Sequence, residues 1–555
     1  MSQVIFQPDN ITIHVEPGTT ILEAARRAGV KMESPCNGAG TCEKCKIYVE
    51  QINPMEAVLV KKGRGSDQGR AYVLACTACI NSDAAITSCS GQQNKSLKIL
   101  SQGESFKVEI RSFITKKFVR SSGHTEVYAD DILIALEEGN QEDSNFGIVV
   151  DIGTTTLVAS LINLNTGAEL NTASAMNPQA IHAQDVLSRI KLASDAKGLE
   201  VLHSELIEEI NRLLDELITN TLINKKSIYE IILSGNTCML HLAAGINPHS
   251  LGKYPYIPAV TGGNHIKASD FCIGIAEKGI AYLPPIISAY VGADITSGVL
   301  ASQLYRQSGV VLFIDIGTNG EMVICRDGRL TAASTAAGPA FEGMNITYGM
   351  RAGKGAIERF NIEENCRLKL QTIGGTEAVG ICGSGLLDLV GELVTNGVIK
   401  KNGKFANPGD EKIKPELSER LIQLEGKPVF QVTEKVFLSQ NDVRQVQLAK
   451  GAVRAGMEFL MDSVGVVAEE VERVLIAGSF GYHLRAKSLI NIGLLPAQFD
   501  GKIEFIGNTS KSGGQAFLLN KEYRREMKKL AMNIEVIELA NYKNFDRVFV
   551  GCLGF

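Results

Sequence analysis

The sequence predicts a multidomain protein: a small α+β module followed by two larger α/β lobes. Three observations carry that prediction. Cys36, Cys42 and Cys45 stand in C-x5-C-x2-C spacing within the glycine-punctuated stretch Pro35-Cys-Asn-Gly-Ala-Gly-Thr-Cys-Glu-Lys-Cys-Lys46. An Asp-Ile-Gly-Thr turn occurs twice, at Asp151 and at Asp315, each time behind an apolar strand. A chain of 555 residues has room for about three or four domains.

Composition removes several classes. Apolar content of 45 % and charged content of 21 % are those of an ordinary globular chain. A net charge of −5 gives no global basic field, so nucleic acid is not an expected partner. No apolar run approaches the ~18 residues of a membrane span, and the N-terminus reads directly into a strand with no export signal. The expected compartment is the cytoplasm, where the twelve cysteines bind metal or pack and are not bridged.

The first module is read from its start. Val4-Ile-Phe and Ile11-Thr-Ile-His-Val alternate as two strands around a Pro8-Asp-Asn turn. Thr20 caps a short helix, Ile21-Leu-Glu-Ala-Ala-Arg-Arg-Ala, that stops at Gly29. The cysteine spacing that follows fits neither period 2 nor period 3.6, so it is not a packing pattern. Its glycines let several sulfurs and amide groups face one centre. Cys76, in Val73-Leu-Ala-Cys, completes a three-plus-one set of thiolates, the set a [2Fe–2S] cluster takes. A zinc reading would pair Cys42/Cys45 with Cys76/Cys79 and leave Cys36 out. Cys79 is the other candidate for fourth ligand. Strands, helix and loop together resemble the β-grasp fold of [2Fe–2S] ferredoxins over residues 1–95. The five-residue first gap is similar to that of adrenodoxin-like and reductase-fused ferredoxins.

Residues 96–145 read as a linker with a small docking element. The ends are polar, with an acidic run 137–145, and short apolar stretches lie between. Lobe one is read as 146–305 and lobe two as 306–555. In the first, Phe146-Gly-Ile-Val-Val-Asp151 is a strand and Thr156 starts its return. In the second, Val310-Val-Leu-Phe-Ile-Asp315 repeats the design. Gly153 and Gly317 let backbone approach an anion. Thr154, Thr155, Thr156, Thr318 and Asn319 can donate to phosphate oxygens. Asp151 and Asp315 can hold Mg²⁺, mostly through water. One such turn is a weak signal; two behind apolar strands are a strong one. Neither is a Walker A loop or a Rossmann turn. They resemble the phosphate motifs of the actin, sugar kinase and heat-shock ATPase superfamily, in which two ribonuclease-H-like lobes close on ATP. That resemblance implies an adenosine motif, and Val474-Leu-Ile-Ala-Gly478-Ser479-Phe480-Gly481 fits it. Further glycine turns at 234–237, 337–340 (with Gly338), 380–385 and 507–510 fit linking positions. Helices are predicted over 199–223 and 442–464. Lys450 on the second either reaches a ribose or phosphate or is a solvated surface residue.

A low-potential [2Fe–2S] centre sits near about −400 mV, and driving an electron about 100 mV lower costs about 2.3 kcal/mol per charge. A two-lobed ATP clamp is a suitable two-state element to offset that. Nearly the whole chain resembles the reductive activators of corrinoid-dependent methyltransferases. The supporting stretches are the cysteine loop, both Asp-Ile-Gly-Thr turns, Pro285-Ile-Ile-Ser-Ala-Tyr-Val-Gly-Ala-Asp294, Gly-Ser-Gly-Leu-Leu-Asp388 and Ile-Ala-Gly-Ser-Phe-Gly. The resemblance implies ATP-dependent one-electron reduction of a Co(II) corrinoid to Co(I), as in O-demethylation. It also implies a corrinoid protein and an upstream low-potential electron donor as partners. The 96–145 region is short for the substantial middle domain of that family. Oligomeric state, a homodimer included, is left open. The alternatives are a redox-sensing ATP-binding regulator, an activator of another low-potential enzyme such as a radical dehydratase, and a small-molecule kinase with an accessory ferredoxin.

Overall fold

Alternation of apolar residues builds both large sheets. In Phe146–Ile152, the side chains of Ile148, Val150 and Ile152 enter one core and Val149 enters another on the opposite face, as period 2 dictates. The computed structural model describes the chain except for residues 9, 31, 33, 35–37, 39, 41–42, 61–63, 68–69, 88–105, 425 and 479–483, and the side chain of Asp67. The chain divides into two compact units. One comprises Met1–Lys98, Ala180–Gln184 and Pro339–Val446; the other comprises Ile99–Gln179, Asp185–Gly338 and Gln447–Phe555.

In the first unit, Ser2–Gln7 pairs antiparallel with Ile11–Val15 and parallel with Ala84–Thr87, which pairs in turn with Ile52–Asn53. Helix Ile21–Arg27 lays Ile21, Leu22, Ala24 and Ala25 into this core. Thr20 caps it as the sequence predicts, its hydroxyl accepting from Glu23 N at 3.1 Å. The 339–446 portion, read from sequence as part of lobe two, groups with this unit. It has two three-stranded sheets of its own, Leu368–Thr372/Ala356–Ile362/Gly380–Ile381 and Leu421–Leu424/Lys427–Gln431/Phe437–Ser439.

The second unit holds two six-stranded sheets of one plan. The first runs Glu169–Met176, Thr156–Asn163, Phe146–Ile152, Ile228–Gly235, Ile280–Leu283, Asn264–Lys267. The second runs Arg329–Thr335, Gly320–Arg326, Val310–Ile316, Arg473–Ala477, Ile503–Gly507, with Glu535–Val536 beyond Arg329–Thr335. Each is a three-strand meander followed by two strands parallel to its first strand. This is the duplicated ribonuclease-H-like architecture.

The two lobes exchange helices. Ala293–Ala301, which closes the first lobe, puts Ile295 and Val299 into the core of the second sheet. Thr509–Leu519, from the second lobe, puts Ala516, Phe517 and Leu518 against Val149, Ile162 and Ile232 of the first sheet. The helices cross on glycine: a Cβ on Gly513 would stand 2.0 Å from Ser297 O. On the other face of the first sheet lies helix Ala196–Thr221, whose Leu202, Leu206, Ile210, Leu213 and Leu217 follow helical spacing.

Strands Ile114–Val119, His124–Ala129 and Ile132–Glu138 form a small antiparallel sheet. Ile114, Val127 and Ala129 pack with Phe517 and Leu518. At the acidic end of this region, Glu137 pairs with buried Lys116 at 2.7 Å and Asn145 Nδ2 donates to Ile114 O at 3.1 Å.

Candidate functional site

Both hairpins turn at a carboxylate, and the turns are braced differently. In the first, Gly153 N donates to Thr156 O at 3.0 Å, and a Cβ on Gly153 would stand 2.6 Å from that oxygen, so only glycine fits. Arg189, fully buried, donates from Nη2 to Thr154 O at 2.5 Å; Asn236 Nδ2 donates to Thr154 Oγ1 at 3.1 Å; Asn177 Nδ2 donates to Gly153 O at 2.8 Å. Thr155 and Thr156 remain half-buried. In the second hairpin, Gly317 N donates to Asn319 O at 2.9 Å, and a Cβ on Gly317 would meet nothing closer than that oxygen at 3.8 Å. Thr318 and Asn319 are half-buried, and the Asn319 amide is hydrogen-bonded to Glu321. Gly338 faces open space.

The third motif meets the second hairpin. Gly478 follows strand Arg473–Ala477 at φ +115°, and a Cβ there would lie 2.6 Å from Ile316 O and 3.0 Å from Asp315 Oδ1. No other residue type fits both the backbone angle and the contact. Ser479, Phe480 and Gly481 lie outside the described residues.

Four acids share this region: Asp151, Asp315 and two the sequence reading assigned no role, Asp294 and Glu321. Asp151 accepts from Ser510 Oγ at 2.7 Å and from Asn508 Nδ2 at 2.8 Å. Burial raises its pKa, and those two bonds and the Lys511 charge work against the rise. Ser510 Oγ lies 3.0 Å from Ser234 Oγ, which lies 2.9 Å from Ser297 Oγ, so the carboxylate is wired into the helix crossing. Asp315 is pushed up to about 7 by burial and then by the Asp151 charge. Burial, then Asp315 and Asp151, raise Asp294; burial, then Asp294 and Asp315, raise Glu321. Carboxylates that raise one another repel, and a bound cation would offset that repulsion. Among the described residues, no three His, Cys, Asp or Glu converge as a cage for a bare ion. The set therefore suits Mg²⁺ that keeps most of its water and is shared with phosphates.

The other glycine turns begin helices. Asn236 caps Thr237–Ala243 and Asn508 caps Thr509–Leu519. Each cap also reaches the first hairpin, which composition alone does not reveal. Lys450 is neither a phosphate ligand nor a solvated residue. It is buried, its ammonium donates to Gly554 O and lies 5.3 Å from the Phe555 ring centroid, and burial pushes it down to about 8. It ties down the C-terminus.

In the first unit, Cys45 is buried just before strand Lys46–Tyr48, and its carbonyl accepts from Ala75 N at 2.8 Å. This backbone bond joins the cysteine loop to the turn carrying half-buried Cys76. A Cβ on Gly40 would lie 3.9 Å from Cys76 Sγ, so the glycine backbone runs beside that sulfur. Cys79 lies buried within strand Ala78–Ile80, opposite Leu59. Cys36 and Cys42 lie outside the described residues. The two described thiols fit a loop-and-turn cluster site.

Residues 309–555 match the family model described as the C-terminal domain of RACo, the ASKHA domain. Residues 146–307 match the RACo middle region, and 4–81 match the 2Fe-2S iron-sulfur cluster binding domain. The middle region is thus the first lobe and not the short 96–145 segment. The chain is 28 % identical over 557 aligned positions to "Corrinoid activation enzyme RamQ" of Eubacterium limosum, covering 94 % of this chain and 93 % of that protein. It is 26 % identical to a "[Co(II) methylated amine-specific corrinoid protein] reductase" of Methanosarcina barkeri, covering 74 % and 77 %. A solved "Reductive activator for corrinoid,iron-sulfur protein" superposes with TM-score 0.73 at 30 % identity, covering 100 % and 98 %.

Proposed function

Because this chain belongs to the family of reductive activators of corrinoid proteins, we propose that it uses ATP to return one electron to the Co(II) corrinoid of a methyltransferase system. Co(II) gains the electron and becomes Co(I). Cys36, Cys42, Cys45 and Cys76 would hold a [2Fe–2S] cluster, which would supply single electrons drawn from an upstream low-potential donor. The observation that carries the ATP dependence is the four-acid site between duplicated phosphate turns.

Mg²⁺ would be held by Asp151 and Asp315, and its charge offsets the repulsion among the four acids. Thr154, Thr155, Thr156, Thr318 and Asn319 donate to phosphate oxygens, with Gly153, Gly317 and Gly338 admitting them. Gly478, Ser479, Phe480 and Gly481 take the adenosine. Ser510 and Asn508 keep Asp151 aimed. Through the Ser234–Ser297 pair, a pull on Asp151 is felt at the crossing of the exchanged helices, so nucleotide binding and lobe closure share one set of bonds.

The test is anaerobic mixing of reduced protein with Co(II) corrinoid proteins, followed by visible spectra with and without Mg-ATP. The Co(I) band is expected only with ATP. No Co(I) in either case, with cluster reduction and corrinoid competence verified chemically, overturns the proposal.

A further inference from the structure

Lys44 lies between Cys42 and Cys45, inside the cysteine loop, yet two of its hydrogen bonds reach residues some three hundred positions away. Its ammonium donates to Thr347 O at 2.9 Å and to Gly349 O at 2.8 Å. Both carbonyls belong to the same compact unit as the loop.

The receiving segment is rigid. Met350 N donates to Ile381 O at 2.9 Å and Ile381 N to Tyr348 O at 2.8 Å. Gly349 is packed so closely that a Cβ would stand 2.0 Å from Gly343 O. Thr347 donates from both N and Oγ1 to Asp442 Oδ1, at 2.7 and 2.9 Å, and the other Asp442 oxygen accepts from Ser439 N at 2.8 Å. Asp442 is fully buried in the first turn of helix Gln440–Ser463. Further along that helix, Val453 and Gly456 pack against the second phosphate hairpin. A Cβ on Gly320 would lie 2.9 Å from Val453 Cγ2, and one on Gly456 would lie 2.7 Å from Met322 Cε.

We propose that Lys44 is a positioning residue for electron delivery. It latches the cluster-bearing loop onto the Thr347 and Gly349 carbonyls, and Asp442 anchors that hold at the first turn of helix Gln440–Ser463. A charged donor on two backbone carbonyls is stronger than a neutral contact and still reversible. The inference rests on the corrinoid-reductase reading for its functional half only.

The test compares full-length, cluster-loaded wild type, Lys44→Gln and Lys44→Arg. Amide exchange is followed in segments 43–48 and 343–350, beside the rate of Co(I) formation at saturating ATP. Lys44→Gln is expected to speed exchange in both segments about tenfold and to lower the rate of Co(I) formation by a similar factor. Iron content and visible spectrum stay unchanged, and Lys44→Arg restores both readouts. Wild-type exchange rates in Lys44→Gln overturn the latch, and so does loss of iron, which would make Lys44 an assembly residue. If wild type yields no Co(I) with any corrinoid protein, the reductase reading falls, and the exchange arm still decides the latch.

Discussion

The two Asp-Ile-Gly-Thr hairpins share a sequence, a strand order and an aspartate at the strand end, and they differ by one residue in the turn. In the first, Ile152 pairs with Leu157, so Asp151 stands opposite Val158. In the second, Ile316 pairs with Gly320, so Asp315 stands opposite Glu321. Like charges directly across an antiparallel pair are destabilising. The first hairpin instead satisfies its carboxylate with Ser510 and Asn508. Duplication thus supplied two equal frames, and the shorter turn made one of them the acidic half. One carboxylate is aimed by donors; the other is raised by burial and by the Asp151 charge, which a bound cation would offset.

The comparison breaks most visibly in turnover. Asp315→Asn is expected to cut Mg-ATP-dependent Co(I) formation by about 10²–10³-fold, read as initial rate at saturating ATP. A drop no larger than that of Ser510→Ala would remove the special role of the second hairpin. Ser510→Ala removes a positioning bond and leaves the charge, so a loss of about tenfold in turnover is expected. The loss should fall on kcat more than on the nucleotide KM.

Stability sharpens the contrast. The folded state holds a proton on Asp315 between the ordinary carboxylate range and about 7, where the unfolded chain has lost it. The group's contribution to stability therefore falls as pH rises from about 4 to about 7, and is flat above. Metal-free Asp315→Asn is expected to melt about 2–4 °C above wild type at pH 8, with no advantage at pH 4, measured by calorimetry. Asp151→Asn should gain less, because the amide keeps only one acceptor oxygen and either Ser510 or Asn508 loses its partner. Equal gains would mean that the Ser510 and Asn508 bonds do not offset the burial of Asp151.

The smallest effect concerns the thiols. Cys79→Ser should leave the cluster absorbance within about 10 % of wild type and lower the melting temperature by about 1–2 °C, while Cys76→Ser loses the absorbance. The reverse result would exchange the fourth ligand.

Legibility followed the range of the interaction. Both hairpins were visible because strand, aspartate and glycine are adjacent in sequence, and so was the Thr20 cap. The helix over 199–223 was legible from its spacing and is observed at Ala196–Thr221. Asp294 and Glu321 lay inside stretches noticed in the sequence, but their role depends on register and on a helix exchanged between lobes. Asn508 and Ser510 are remote from Asp151 in sequence and meet it only after the second sheet has formed. Lys450 misled because helical position does not distinguish a lysine facing solvent from one buried on a chain terminus.

The exchange of helices Ala293–Ala301 and Thr509–Leu519 has a consequence for dissecting the protein. Each sheet face is covered by a segment encoded in the other half of the gene. A cut near residue 306 would give two fragments, each with an uncovered apolar face and an orphaned helix, and each is expected to aggregate when expressed alone. Co-expressed, they should be recovered as one complementing pair.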